Sequence, residues 1–214
     1  MLPSFTDCCF VKRKIDDNMI RFYFILLMLT FISCEHSSSE FKLQNSFQIK
    51  LQNPVRINVN DWFYFSADSN LYQLFMYYSN TELGNAKLID TVDFSSYKSM
   101  IHCFKSQNDD SYIVLWETEY EYYPLIYAYY VIDGKIVNIG ELLISLPCQS
   151  CESFEYPIKD IRILQNGNEI EISFLADVNY KPRKSADWQL YKAGVLKFLF
   201  NTETNKLRYI TSSN

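Results

Sequence analysis

The stretch IYAYYVIDGKIVNIGELL, residues 126–143, decides the fold class, because two alternating apolar arms flank the dipeptide Asp133-Gly134. An Asp-Gly pair readily adopts the positive φ angles that a type I′ turn requires, so the stretch predicts an antiparallel β-hairpin. Residues 158–178 repeat the pattern with Asn166-Gly167 at the predicted tip, and residues 194–210 repeat it around the polar loop 201–206. Three hairpins in one chain favour an antiparallel all-β protein.

The rest of the chain from Phe41 onward also alternates apolar and polar residues with a period close to two. FQIKLQ (47–52) and VRINVN (55–60) are predicted to be consecutive strands joined by a short turn at Asn53-Pro54. The 17 Tyr and 16 Phe suit pleated sheets, and Gly is scarce at 5 residues. We predict one all-β domain, residues 41–214, forming an antiparallel sandwich or barrel-like structure of about ten to twelve strands.

The N-terminal region contains a run at residues 22–32 that is apolar except for Thr30 and is directly preceded by Arg21. Its eleven residues are too few for a transmembrane helix, which needs about 20. They match the apolar region of a secretory signal, which is about 7–15 residues long and follows positive charge. The segment that starts at Met19 is a compact signal by itself, which favours Met19 as the start of translation.

The run ends in FISC, residues 31–34, where the small Ser33 directly precedes Cys34. This segment resembles the lipobox of bacterial lipoproteins, in which the cysteine becomes the acylated first residue of the mature chain. The resemblance implies a signal peptide at residues 1–33, fatty acylation such as palmitoylation at Cys34, and localisation in the cell envelope, at the outer membrane or cell surface. Residues 34–40 would then be the lipidated cysteine and a flexible polar tether. An ordinary secretory signal and a buried strand are the alternatives.

Without residues 1–33 the chain has 16 Lys+Arg against 22 Asp+Glu, a net charge of about −6. A modestly acidic domain without a basic cluster argues against nucleic acid as a partner. Within WETEYEYY (116–123), strand geometry places three carboxylates on one face and the aromatic residues on the other. This segment could be a ligand-binding surface, or a charged outer face backed by ordinary core packing. The candidate binding residues are Trp116, Glu117, Glu119, Tyr120, Glu121 and Tyr122.

The cysteines and histidines give few options for a chemical site. Cys148 and Cys151 form a C-x-x-C pair, which could be half of a zinc site, a redox dithiol or a local disulfide. We expect the disulfide, because further zinc ligands and a βαβ pattern are not evident in the sequence, and we expect no metal or other cofactor. We interpret His102 as structural and Cys103 as a buried thiol, and a disulfide between Cys103 and either Cys148 or Cys151 is the alternative.

These features predict a membrane-anchored envelope lipoprotein that acts as a non-catalytic binding or interaction module. Its ligand would be a protein, a peptide or a glycan, and an inhibitor or immunity-like protein is one version. The alternative is a carboxylate-dependent glycan hydrolase. That alternative requires at least one of Glu117, Glu119 and Glu121 to lie in a concave pocket together with another carboxylate.

Overall fold

In the computed structural model, the residues described are 38–49, 54–57, 60–68, 73–81, 86–93, 99–120, 123–147, 155–182, 185 and 187–212. The predicted signal peptide, the predicted lipidation site Cys34 and the pair Cys148 and Cys151 lie outside these ranges. Contacts along the chain divide it after Ser37, and Ser38–Asn214 is one unit. No helix within the described ranges is long and apolar enough to cross a membrane.

About two thirds of the described residues lie in β-strands and none lies in an α-helix, which confirms the predicted fold class. One 3₁₀ turn, Ile158–Asp160, is present among them. The described ranges contain sixteen strands rather than ten to twelve, because four of them are only two or three residues long and show no readable alternation. The strands are Ser39–Gln48 (β1), Val55–Arg56 (β2), Trp62–Asp68 (β3), Gln73–Ser79 (β4), Lys87–Asp93 (β5), Met100–Ser106 (β6), Tyr112–Tyr120 (β7), Tyr123–Ile132 (β8), Lys135–Leu142 (β9), Ile144–Ser145 (β10), Ile161–Asn166 (β11), Glu169–Phe174 (β12), Val178–Tyr180 (β13), Gln189–Tyr191 (β14), Leu196–Asn201 (β15) and Lys206–Thr211 (β16).

The main sheet has nine antiparallel strands in the order β16-β15-β12-β11-β1-β6-β7-β8-β9. It curls until its two end strands approach each other, with Leu207 of β16 lying against Gly140 of β9. The sheet is therefore nearly closed into a barrel. Strands β2 to β5 form a second sheet, and β10, β13 and β14 form a third.

All three predicted hairpins are present. Asp133 and Gly134 have φ angles of 51° and 67°, as a type I′ turn requires. The second tip lies one residue further along than predicted, because Asn166 pairs with Glu169 and the loop is Gly167-Asn168. Gly167 has a φ of 58°, the geometry of a type II′ turn, in which glycine takes the first central position. The third pair, β15 and β16, flanks the predicted polar loop.

The consecutive strands predicted at residues 47–52 and 55–60 belong to two different sheets. Strand β1 pairs with β6 and β11 in the main sheet, whereas β2 pairs with β3 in the second sheet. Alternation identifies a strand but not its partner, and a short connection can also join strands of different sheets. Strand β1 also begins two residues inside the predicted tether: Ser39 is buried, with its hydroxyl 2.9 Å from that of Ser106.

The meander β6-β7-β8 separates two hydrophobic clusters. Ile113 and Leu115 of β7 face the interior of the curled main sheet, while Val114 and Trp116 face the β2–β5 sheet. All four side chains are fully buried. Each large apolar side chain buried in this way contributes about 1.5–3 kcal/mol, so both faces of the meander stabilise the fold. The meander therefore holds β6 and β7 firmly beneath the site described next.

Candidate functional site

A cleft of about 550 Å³ lies over the part of the main sheet where β1, β6 and β7 are neighbours. We call it the Glu117 cleft. Ser46 of β1, His102 of β6 and Glu117 of β7 line it from the sheet, and the segment 155–160 before β11 also lines it. The Tyr156 hydroxyl donates a hydrogen bond to the Thr118 carbonyl, which ties this segment to β7.

A chain of two hydrogen bonds crosses the three strands within the cleft. The Ser46 hydroxyl oxygen lies 2.8 Å from Nδ1 of His102, and Nε2 of His102 lies 2.8 Å from Oε2 of Glu117. Sheet register explains both contacts. Ser46 is directly opposite His102 on β1 and β6, and Glu117 is the diagonal neighbour of His102, because it pairs with Met100.

His102, in the middle of this chain, is its most buried member. Ser46 is exposed, the His102 residue is only 5% exposed, and the Glu117 side chain is 16% exposed. An ionised carboxylate only accepts hydrogen bonds, so His102 donates from Nε2 to Glu117. In the neutral imidazole, Nδ1 then accepts the proton of the Ser46 hydroxyl. The arrangement fixes the tautomer of His102 and points its basic nitrogen at an accessible hydroxyl.

The predicted alternation on β7 is correct, but the predicted binding role of Trp116 is wrong. Trp116 is 0% exposed and packs between the sheets, with ring centroids 5.7 Å from Phe65 and 5.5 Å from Tyr127. Its Nε1 is buried without a hydrogen-bond partner among the described residues. A side chain in this position belongs to the core and cannot contact a ligand, because the β2–β5 sheet covers that face.

Of the predicted carboxylate ladder, only Glu117 has a described side chain, and it lies in the cleft. The backbone of Glu119 and Tyr120 belongs to β7, where they pair with Pro124 and Tyr123. Their side chains, and Glu121 and Tyr122 altogether, lie outside the described part of the structure.

Cys103 faces away from the cleft, into the cluster beneath the β2–β5 sheet, and is a free thiol with 1% exposure. Burial raises the pKa of this thiol to about 12, which keeps it protonated and unreactive. The prediction of a buried thiol is confirmed. Within the described ranges, no three His, Cys, Asp or Glu side chains are grouped so that they could hold a metal ion.

Sequence reasoning missed Ser46 and assigned His102 only a structural role. The His102–Glu117 contact could have been found, because the polar segment SQNDDS (106–111) marks β6 and β7 as a hairpin. The Ser46–His102 contact joins residues 56 positions apart, and no local signal sets that register.

No family model matches the sequence, and comparison with curated proteins and with solved structures found no significant match in either. The geometry of the Glu117 cleft is therefore what bears on function.

Proposed function

We propose that the protein is a bacterial envelope lipoprotein, anchored through acylated Cys34, whose β domain binds a protein, peptide or glycan ligand in the Glu117 cleft. The observation that carries the proposal is the cleft itself. Ligand sites are commonly concave, about 300–1,000 Å³ in volume, and apolar with a few convergent polar groups. The Glu117 cleft has this size and combines apolar side chains such as Met100 and Ile158 with the polar pair His102 and Glu117.

The charges around the cleft favour a ligand that carries basic groups. Glu117, Glu155 and Asp160 contribute carboxylates to the lining, and Lys159 contributes one ammonium group. The whole chain has a net charge of −5, so the long-range field also attracts a cationic partner. A basic peptide or protein surface is the ligand that this electrostatic pattern fits best, and an inhibitor or immunity-like role would use it.

A matched pair of variants tests the site. The full-length chain, solubilised in mild detergent and immobilised, is incubated with envelope extract and, separately, with purified envelope polysaccharide. Leu43→Arg adds a large cation at the mouth of the cleft, whereas Leu88→Arg makes the same change at a similarly exposed position on β5. We expect stoichiometric retention of a partner, lost in Leu43→Arg and kept in Leu88→Arg. Equal retention by both variants would show that the cleft is not the binding site. No retention by the native chain would refute the binding function itself.

A glycan hydrolase is the second candidate, favoured by one specific observation. Glu117 lies in a concave site whose lining also includes Glu155 and Asp160. Glycoside hydrolysis needs two such carboxyl groups, one as acid and one as base or nucleophile. Release of reducing sugar from envelope polysaccharide, abolished in both Glu117→Gln and Glu155→Gln, would support this candidate over simple binding.

A further inference from the structure

We propose that the Glu117 cleft hydrolyses carboxylic esters, with Ser46 as the nucleophile, His102 as the general base and Glu117 as a positioning residue that acts through His102. This inference rests on the proposed function, because it places a reaction in the same cleft that binds the ligand. It goes beyond binding because the hydrogen-bonded serine, imidazole and carboxylate form the constellation used for acyl transfer in unrelated folds.

The two contacts meet the geometric requirement for an activated nucleophile. Both are 2.8 Å, within the range of about 2.6–3.2 Å that proton transfer between a nucleophile and a base demands. Here the serine contacts Nδ1 and the carboxylate contacts Nε2, and either imidazole nitrogen can act as the base when the other donates its proton. Ser46 is an exposed residue in the lining of the cleft, whereas His102 is buried.

The backbone of β1 supplies a donor for the oxyanion. The Ile49 N–H donates a hydrogen bond to the Ser99 carbonyl, just before β6, with 3.0 Å between nitrogen and oxygen. From Asn45 to Gln48, β1 pairs with β6 without a register shift. Because alternate residues of a strand direct their N–H groups to opposite sides, the N–H of Ser46 points away from β6. It therefore points toward the edge of β1 that pairs with β11, but the described pairing at that edge ends at Phe41, five residues before Ser46. We assign this N–H as the donor to the oxyanion that forms when the Ser46 hydroxyl attacks a carbonyl carbon.

The reaction balances without any co-reactant except water. The Ser46 oxygen bonds to the ester carbonyl carbon as its proton moves to Nδ1 of His102. The carbon–alkoxy bond then breaks, and the imidazolium gives that proton to the leaving alcohol. Water next attacks the acyl-serine ester, loses a proton to Nδ1, and releases the carboxylic acid as the proton returns to Ser46.

The lining of the cleft indicates the substrate class. Leu43, Met100, Leu146 and Ile158 offer an apolar surface beside Ser46. A volume of about 550 Å³ accommodates a short acyl chain together with part of an alcohol. Esters of short-chain carboxylic acids therefore fit the cleft.

Covalent labelling tests the nucleophile directly. The full-length chain is treated with a biotinylated fluorophosphonate, and the modified residue is mapped by peptide mass spectrometry. We expect label on Ser46, no label in Ser46→Ala, and unchanged label in Ser66→Ala, which alters an exposed strand serine in the other sheet. Label elsewhere, or no label on a chain whose circular dichroism is native, would overturn the proposal.

Steady-state hydrolysis of p-nitrophenyl butyrate tests the other two roles. His102→Gln should lower kcat/KM at least about 100-fold, the usual contribution of a general base. Glu117→Gln should lower kcat at least about tenfold while KM stays within about twofold, because a positioning residue acts on the transition state. A Glu117→Gln protein that melts like the native one and keeps its kcat would contradict the positioning role. If neither labelling nor hydrolysis occurs while Leu43→Arg still abolishes ligand retention, the reaction is refuted and the binding function stands.

Discussion

The hydrogen bond between His102 and Glu117 should be measurable as a coupling energy of about 2 kcal/mol. The Nε2 and Oε2 atoms are 2.8 Å apart, and the two side chains are only 6% and 16% exposed. A hydrogen bond to a charged group in such surroundings contributes about 1.5–3 kcal/mol. His102→Leu and Glu117→Leu each leave the partner with an unsatisfied polar group, which costs about 1–3 kcal/mol. The double variant removes both groups. Its loss of unfolding free energy should therefore be about 2 kcal/mol smaller than the sum of the losses in the two single variants.

Urea unfolding at pH 7 of the native chain, the two single variants and the double variant gives the coupling energy. Lys197 and Glu171 provide a reference pair, since their charged atoms are 3.0 Å apart but their side chains are 30% and 22% exposed. We expect about 0.5 kcal/mol there, because solvent screens partly exposed ion pairs. A coupling below about 0.5 kcal/mol for His102 and Glu117, or one no larger than that of the reference pair, would refute the reasoning.

Three further outcomes are expected. The pKa of Cys103 is raised from 9.0 to about 12 in the folded protein. Below pH 9 the thiol is protonated in both the folded and the unfolded chain, so its stabilising contribution is fully present there. Between pH 9 and 12 the free energy of unfolding of the native chain should fall by about 1.4 kcal/mol per pH unit relative to that of Cys103→Ala. Urea unfolding under reducing conditions measures both free energies, and the same pH dependence in the two proteins would contradict this. Gly140→Ala should lower the free energy of unfolding by about 1–3 kcal/mol in thermal or urea unfolding, because Gly140 has a φ of +140°, which strains any other residue. An added Cβ would also lie 2.9 Å from the Leu207 side chain, and Leu207→Ala removes that contact but not the strain. Full recovery of stability in the double variant would therefore contradict the backbone explanation. Cys34→Ser should abolish metabolic labelling with palmitate and release the protein from membranes, while Cys148→Ser should leave both unchanged; persistent labelling of Cys34→Ser would exclude lipidation at that residue.

The hairpins were predictable because their signals are local. Asp133-Gly134 has the backbone preference of one turn type, and the apolar arms on either side need no information from elsewhere in the chain. The tip at Gly167 shifted by one residue because Asn-Gly and Gly-Asn both suit two-residue turns.

The partners of β1 and the identity of the site were not predictable in this way. β1 pairs with β6 across more than fifty residues, so the contact between Ser46 and His102 depends on a long-range pairing that no local signal sets. Alternation correctly placed Trp116 on the face of β7 opposite Glu117. It does not reveal whether a second sheet covers that face, as the β2–β5 sheet does. The cleft at Glu117 depends on the segment 155–160 lying over β7, which is likewise a long-range contact.

The position of β7 between two hydrophobic clusters constrains how this sequence can evolve. Ile113 and Leu115 belong to one cluster, and Val114 and Trp116 belong to the other. Deleting a single residue in this segment would send every following side chain to the opposite cluster at once, because side chains alternate along a strand. Insertions and deletions should therefore be confined to loops such as 107–110.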